Sequence, residues 1–342
     1  MSAPPEERQS RDGLAGREGP ASKSNETAGR IFSKTMTSLT PPPFQRQTTL
    51  ARRVTLVGTG AHTGRPCRMF LMPSDASSGI VFSRLDAEEP VVADWRKVRD
   101  TRLRVEIGAG DARVSTVEHV TAALSGLGVD NALIEVDGPE VPALDGSARQ
   151  IAEAILEAEM QPLAAPRRTL RILQTIRVEN GAAWAELAPI AAPRLEIDVE
   201  IDFPPPIGRQ RVRRAISPRV FVRELSWARS FGFLGDAERL WREGLALGAA
   251  LDNTVVFAQE RVLNPEGLRR DDEPARHKAL DALGDLALAG APILGRFRSY
   301  RGGHALNLAL VERLMTTPGA FRIEEGVRPV RGSQAEDRPL SP

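Results

Sequence analysis

One cysteine, Cys67, is all that the chain carries in 342 residues. An internal disulfide framework and a cysteine-based zinc knuckle are thereby excluded, and a reducing compartment, by default the cytoplasm, is expected. Long apolar runs are missing too. No stretch approaches the roughly 20 residues that a spanning helix requires, so no transmembrane segment is expected and only peripheral membrane contact stays open. Neither sign of charge prevails: 46 Lys and Arg against 45 Asp and Glu leave a formal net charge of +1. That balance excludes the broad basic footprint of a protein that works on nucleic acid, and an anionic partner must be met locally.

The ends lack the signals of a processed segment. Residues 1–47 have no apolar h-region, carry Glu6 and Glu7 where a signal or transit peptide is basic, and are rich in Pro, Ser and Gly. They read as a disordered N-terminal extension. Met36 stands shortly before the first strand-like pattern, which makes it an alternative start to Met1. Residues 323–342 read as a disordered tail, most plainly beyond Val327. Common enzyme templates are absent as well: there is no His-Glu-x-x-His of a zinc peptidase and no Gly-x-Ser-x-Gly elbow. The glycine-rich run Gly58 to Gly64 has the wrong spacing for a dinucleotide fingerprint and leads into strand residues, so His62 within it reads as a pocket-lining or core residue.

What is present is a soluble, globular pattern in which 41% hydrophobic residues are enough for two cores. Strands are expected at Thr49–Val57, Arg68–Met72, Gly79–Arg84 and Arg102–Ile107. A helix follows from Ser115 with Val117, Val120, Ala123 and Leu124 on its apolar face, stopped at Gly126 and Gly128. After a short buried strand, Ala132–Val136, Asp145 or Ser147 is placed to cap a second helix that buries Ile151, Ala154, Ile155 and Ala158. Residues 161–168, with two prolines and two arginines, read as a linker between residues 48–160 and residues 169–322. The second half repeats the order. Leu195–Phe203 alternates apolar and acidic residues, as a strand with one solvated face requires. An amphipathic piece around Glu238–Trp241 and a β-branched run Thr254–Phe257 precede a long helix that Pro274 opens and that runs to about Gly290. A strand Pro292–Tyr300, a Gly302-Gly303 turn and a helix Ala305–Leu314 close it. The expected fold is α+β: two similar domains, each a sheet packed on a pair of helices, in a sandwich with the helices inside.

Histidine is scarce, and three of the four fall in segments with one chemical theme. His277 and Asp281 stand one helical turn apart and point the same way, so both can bind one ion, while Asp285 lies a turn further on. His119 would arrive from elsewhere. Two imidazoles and a carboxylate with one position left for water make a catalytic zinc site, and the neighbouring Glu118 is placed to take a proton from that water. Each residue has an ordinary alternative. His277 and Asp281 match a surface ion pair, Ser115 to Glu118 matches a helix capping box, and His304 matches a turn histidine.

The segments Gly58-Thr-Gly-Ala-His-Thr-Gly64, Ser115-Thr-Val-Glu-His119, Pro142-Ala-Leu-Asp-Gly-Ser147, Ala228-Arg-Ser-Phe-Gly-Phe233, His277-Lys-Ala-Leu-Asp-Ala-Leu-Gly-Asp285 and Gly303-His-Ala-Leu-Asn307 occur in that order. Over about residues 48–320 the chain thus resembles the UDP-3-O-acyl-N-acetylglucosamine deacetylase family of Gram-negative lipid A biosynthesis. The resemblance implies zinc, or else ferrous iron, on His119, His277 and Asp281, a water activated by Glu118, and His304 as the cation that steadies the oxyanion and protonates the leaving amine. It implies supporting places for Asp285, for Lys278 and Phe231 on the substrate side, and for Ser230 at the oxyanion. The family usually has Thr at that position, and serine keeps the hydroxyl without the methyl that restricts its rotamer.

Gly235–Gln259, with Leu240, Trp241, Leu245, Leu247, Val255, Val256 and Phe257, takes the place of the acyl-chain passage; its ordinary alternative is a small satellite core. The implied partner is a UDP-3-O-acyl-N-acetylglucosamine, with peripheral contact to the inner membrane left open and a monomer expected. Two competing readings remain: a metal-dependent deacetylase of another N-acetyl sugar, and a non-catalytic nucleotide-sugar or acyl-binding protein. Retention of Glu118, His119, His277 and Asp281 argues against the second, because binding alone needs no base beside a metal.

Overall fold

The computed structural model describes residues 46–326, so the expectations for residues 1–45 and 327–342 lie outside the described part. Alternating burial builds the first sheet. In Pro66–Met72 the side chains of Cys67, Met69 and Leu71 turn inward and their neighbours outward, the period that a pleated strand imposes. This strand sits between Val54–Thr59 and Ala132–Val136, and the sheet continues through Ile80–Arg84 to Val91–Val92. The inner face rests on two helices, α1 (Glu118–Leu127) and α2 (Arg149–Ala158). The second sheet has seven strands, with Ile293–Tyr300 pairing to Ala183–Ala188, Leu195–Asp202 and Arg168–Ile172. Its helices are α3 (Glu273–Ala287) and α4 (His304–Thr316). The result is the α+β sandwich with helices inside.

Where the two layers of helices meet, almost nothing is left to solvent. All of α1 but Ser125 is buried, and all of α3 but Lys278 and Ala287. A β-carbon on Gly284 would lie 2.1 Å from the carbonyl oxygen of Glu118, so only glycine lets α3 lie this close to α1. The Thr121 hydroxyl donates to the Gly284 carbonyl at 3.0 Å and ties the helices at the same point. His277, Asp281, Gly284 and Asp285 follow helical spacing and share one face of α3, so the crossing presents the candidate ligands to the N-terminal turn of α1.

Several local expectations change. The single strand expected at Thr49–Val57 is broken at Ala51–Arg53 into Arg46–Leu50 and Val54–Thr59. The expected linker 161–168 is largely a strand, Met160–Pro166, antiparallel to Arg46–Leu50. A two-stranded ribbon has free edges, which is where proline, lacking an N–H, is tolerated. Hence residues 46–47, expected to be disordered, are ordered by that pairing. At the other end Phe321–Glu325 pairs antiparallel with Arg168–Ile172, so residues 323–325 belong to the sheet and not to the tail. The expected strand Arg102–Ile107 is reduced to Glu106–Ile107, with Leu103 at a φ of 63° interrupting it.

The acidic face of Leu195–Asp202 is closed to solvent in its first half, while Glu200 and Asp202 stay partly exposed. Glu196 and Asp198 are 5% exposed: Glu196 is bonded by Arg194 and Arg296, and Asp198 by Arg211 at 2.7 Å through both oxygens. The strand is central, and most same-face residues of its two neighbours, Arg209, Arg211 and Arg213 on one side and Arg296 and Arg298 on the other, are arginines that roof it.

Replacing Gly284 with Ala should overpack the crossing and destabilise the fold by about 1–3 kcal/mol. Equilibrium denaturation checks this; an unchanged midpoint would mean that the helices can separate at no cost.

Candidate metal centre and active site

The N-terminal turn of α1 is set by the chain before it. Ser115 lies in a short strand, its hydroxyl donates to Glu106 at 2.7 Å, and Thr116 takes a φ of 63°. The helix therefore begins at Glu118 and not at Ser115, and its N-cap, Val117, makes no side-chain cap. The capping box is absent. Glu118 instead turns into the protein, where its Oε2 accepts the Val105 N–H at 3.0 Å. Burial raises its pKa above the ordinary carboxylate value, and nearby His304 and His119 oppose that rise. The group is thereby moved toward the proton affinity that a general base needs.

His119, next on α1, meets His277 and Asp281 from α3. Their candidate donor atoms all lie within 4.8 Å of one another, and all three residues are buried. Nε2 of His119 is 3.7 Å and Nε2 of His277 is 3.3 Å from Asp281 Oδ1. The rings stand edge to face, 5.2 Å between centroids. The ordinary ion pair on the surface is excluded by this burial.

Whether the residues fit an ion is answered by Asp281: its Oδ1 is buried with no hydrogen-bond partner, although a buried carboxylate oxygen without one is costly. A cation between Oδ1 and the two Nε2 atoms would supply the missing partner, so the donor set fits a metal. His277 is prepared for that role. Its Nδ1 lies 3.1 Å from the Ala228 carbonyl, and burial lowers its pKa to about 3 against the pull of Asp281, leaving a neutral ring with Nε2 free to ligate. Burial alone would raise the pKa of Asp281, but His277 and Lys278 hold it well below the ordinary carboxylate value. Lys278 donates to its other oxygen, Oδ2, at 2.8 Å.

His304 opens α4 and faces the same space. It is not an ordinary turn histidine. Burial disfavours its charge, but the Asp285 carboxylate, 2.9 Å from Nδ1, overrides that and raises the pKa to about 9. Nε2 then points at Glu118 Oε1, 3.9 Å away, and at Asp281 Oδ2, 4.0 Å away. Asn307, one turn along α4, donates to Asp285 at 2.8 Å and fixes the carboxylate. Sequence reasoning quoted Asn307 in a motif but gave it no role; its spacing from His304 on a helix was the available signal.

The remaining expected residues are unevenly placed. Phe231 stands beside the cluster, 6.1 Å from the His277 ring and 5.6 Å from Lys278 Nζ. Ser230, next to it, is held by backbone bonds from its N–H to Gly146 and from Val255 to its carbonyl. Leu247 is 52% exposed on the segment after helix Ala237–Arg242. Val255 is 1% exposed and pairs with Phe231, so it belongs to the core of a small sheet and not to an open lining. His62 is half-buried, and its Nδ1 accepts the Ala246 N–H at 3.3 Å. Arg229, between Ala228 and Ser230, bonds Glu273 at the start of α3 through Nε at 2.9 Å, an anchor not foreseen from sequence.

What such a cluster could do is narrow: an ion held by three protein groups would keep a coordination position for water, with Glu118 and His304 beside it. The class is that of metal-assisted hydrolases. A family model described as LpxC, UDP-3-O-acyl N-acetylglycosamine deacetylase, matches residues 47–316. Proteins named UDP-3-O-acyl-N-acetylglucosamine deacetylase from Brucella ovis and Brucella canis are each 48% identical over 282 residues, covering 82% of this chain and 98% of the relative. One from Brucella melitensis biotype 2 matches to the same extent, 48% over 282 residues. The chain belongs to the UDP-3-O-acyl N-acetylglycosamine deacetylase family.

Loss of one donor should weaken the ion beyond the roughly 10–100-fold seen when only an outer partner is removed. His277→Ala and Asp281→Ala should each leave far less than one metal per chain after gel filtration, by elemental analysis. Stoichiometric metal in either variant would overturn the ligand assignment.

Proposed function

We propose that the protein hydrolyses the N-acetyl group of a UDP-3-O-acyl-N-acetylglucosamine, the committed step of lipid A synthesis, with zinc held by His119, His277 and Asp281. Two imidazole nitrogens and one carboxylate oxygen suit zinc, with ferrous iron as the alternative. The observation that carries the reading is the opposed pair beside the donor set: a buried carboxylate raised toward basicity and a buried imidazole held in its protonated form by Asp285, 3.9 Å apart. A divalent ion there supplies Lewis-acid polarisation and acidifies water.

The chain's own groups do the rest. Glu118 takes a proton from the water that attacks the acetyl carbon. His304 keeps Nδ1 on Asp285 and has its Nε2 proton left for the substrate, first against the developing oxyanion and then for the nitrogen as the C–N bond breaks. Acetate and a free amine leave. The Ser230 hydroxyl adds to the oxyanion contact, and Lys278 and Phe231 border the sugar. Residues 235–259 line a passage for the acyl chain, in which Leu247 supplies accessible apolar surface. The site then lies between two domains, residues 48–160 and residues 169 to about 325. No described helix is long and apolar enough to cross a membrane, and a cytoplasmic monomer that meets its amphiphilic substrate at the inner membrane surface is consistent with that.

Acetate release from the UDP-acyl-sugar by metal-loaded protein tests the reading; release from other N-acetyl sugars alone would shift the substrate, and none at all would make this a binding protein. Glu118→Gln should keep its metal and lose about 10²–10⁴-fold in kcat, the range for a positioned base. A variant that is merely less stable and still turns over would remove Glu118 from the chemistry. For His304 the sign is set by a raised pKa: the ring is charged below about 9 and loses its charge as pH rises past that value. kcat/KM should therefore fall on the alkaline side near pH 9, and Asp285→Asn should move that limb to lower pH.

A further inference from the structure

Glu140 lies 1% exposed, outside the acid and base positions, and it is the point at which three separate segments meet. Its carboxylate accepts the N–H groups of His62 at 2.9 Å and Thr63 at 2.8 Å, and the Thr116 hydroxyl at 2.8 Å. Thr116 is the left-handed residue just before the turn that aims Glu118. The loop of His62 is in turn clasped by the segment that carries Leu247. Leu247 N–H donates to the His62 carbonyl at 3.1 Å and Gly248 N–H to that of Ala61 at 3.0 Å. Ala246 N–H adds the bond to His62 Nδ1. The approach is close enough that a β-carbon on Gly248 would lie 2.2 Å from the Gly60 carbonyl oxygen. The clasp is a principal mooring for this segment, because helix Ala237–Arg242 buries none of its residues and Leu234, Trp241, Leu247 and Leu251 are all more than 40% exposed.

We propose that Glu140 and the Gly60–Gly248 clasp form a positioning device that transmits acyl-chain occupancy of the 235–259 segment to Glu118, so that chain length is read in kcat as well as in KM. This rests on the reading of residues 235–259 as the acyl passage. A chain seated against Leu247 fixes the segment; the backbone bonds to Ala61 and His62 fix the loop; and the single carboxylate of Glu140 holds that loop and Thr116 in one geometry. Remote binding energy is thereby used to orient the base, and a chain too short to reach the segment forgoes it.

The experiment uses metal-loaded full-length protein and UDP-N-acetylglucosamines bearing a long, a short or no 3-O-acyl group. Three proteins are compared: wild type, Glu140→Gln, which turns an amide NH₂ toward N–H donors, and Gly248→Ala, which wedges the clasp open from the surface and guards against a folding defect in the first. The wild type should prefer the long chain by at least tenfold in kcat. Both variants should retain stoichiometric metal and lose at least tenfold in kcat on the long-chain substrate, with the long-to-short ratio of kcat collapsing toward one. A ratio kept in Gly248→Ala, with any loss shared equally by all substrates or confined to KM, overturns the clasp while leaving the passage intact. A wild type indifferent to chain length overturns the passage reading itself, and the clasp with it.

Discussion

The contact on which the site depends is the crossing of α1 and α3 at Gly284. With no side chain between them, the helices approach until the Glu118 carbonyl rests against the Gly284 backbone. One helix supplies His119 beside Glu118, the other His277 and Asp281, and the candidate donor atoms of the two histidines and Asp281 lie within 4.8 Å of one another where the two backbones nearly touch. A β-carbon at 284 would lie 2.1 Å from the Glu118 carbonyl oxygen, so any larger residue there must push the pair apart. The close crossing is thus a requirement of the chemistry as much as of the packing.

Closeness also concentrates charge where water is excluded. Glu118, Asp281, Asp285, Lys278, His277 and His304 share a small volume, and five of the six are buried, Lys278 being the one left partly exposed. Desolvation penalises every charged form there, and the pattern of hydrogen bonds decides which groups resist it. Asp285, with its partners His304 and Asn307, makes one imidazole a cation; burial keeps that of His277 neutral, although the Ala228 carbonyl beside its Nδ1 pulls the other way. Two histidines thereby take opposite charge states from opposite surroundings. Asp281 Oδ1 and Asn307 Oδ1 are buried in this network without a hydrogen-bond partner, and an ion bound at Asp281 would link metal binding to the stability of this interior.

Around this rigid centre the chain is fastened by backbone-level contacts. Arg229 and Glu273 clamp the Ala228–Phe231 segment to the start of α3, so that the carbonyl reaching His277 is placed by a buried ion pair. On the α1 side Glu140 does the corresponding work for Thr116 and the His62 loop. These anchors are charged side chains bonded to main-chain groups, an arrangement that holds loops in one conformation where apolar packing alone would leave several. The outer sheet follows the same habit with its arginine roof over Glu196 and Asp198.

Period and chemistry made the architecture legible before any coordinates. Alternation in Arg68–Met72, helical spacing around His119 and Pro274 at the head of a long helix are local properties, and local physics is written residue by residue. The i,i+4 spacing of His277 and Asp281 is of the same kind. Other features were invisible because they depend on what lies across a gap in sequence. Ser115 could cap a helix or join a strand, and only the distant Glu106 decided for the strand. Residues 161–168 read as a linker until Arg46–Leu50 offered them hydrogen bonds, and Glu196 and Asp198 read as solvated until arginines from neighbouring strands closed over them. Glu140 gave no signal at all, since a lone glutamate becomes an anchor only when two remote segments, the His62–Thr63 loop and Thr116, bring their donors to it. Sequence by itself determined the main helices and strands and which of them bear the candidate ligands His119, His277 and Asp281. Tertiary structure decided their protonation, their partners and their spacing, because burial and electrostatic neighbours are properties of the packed chain and not of the residue.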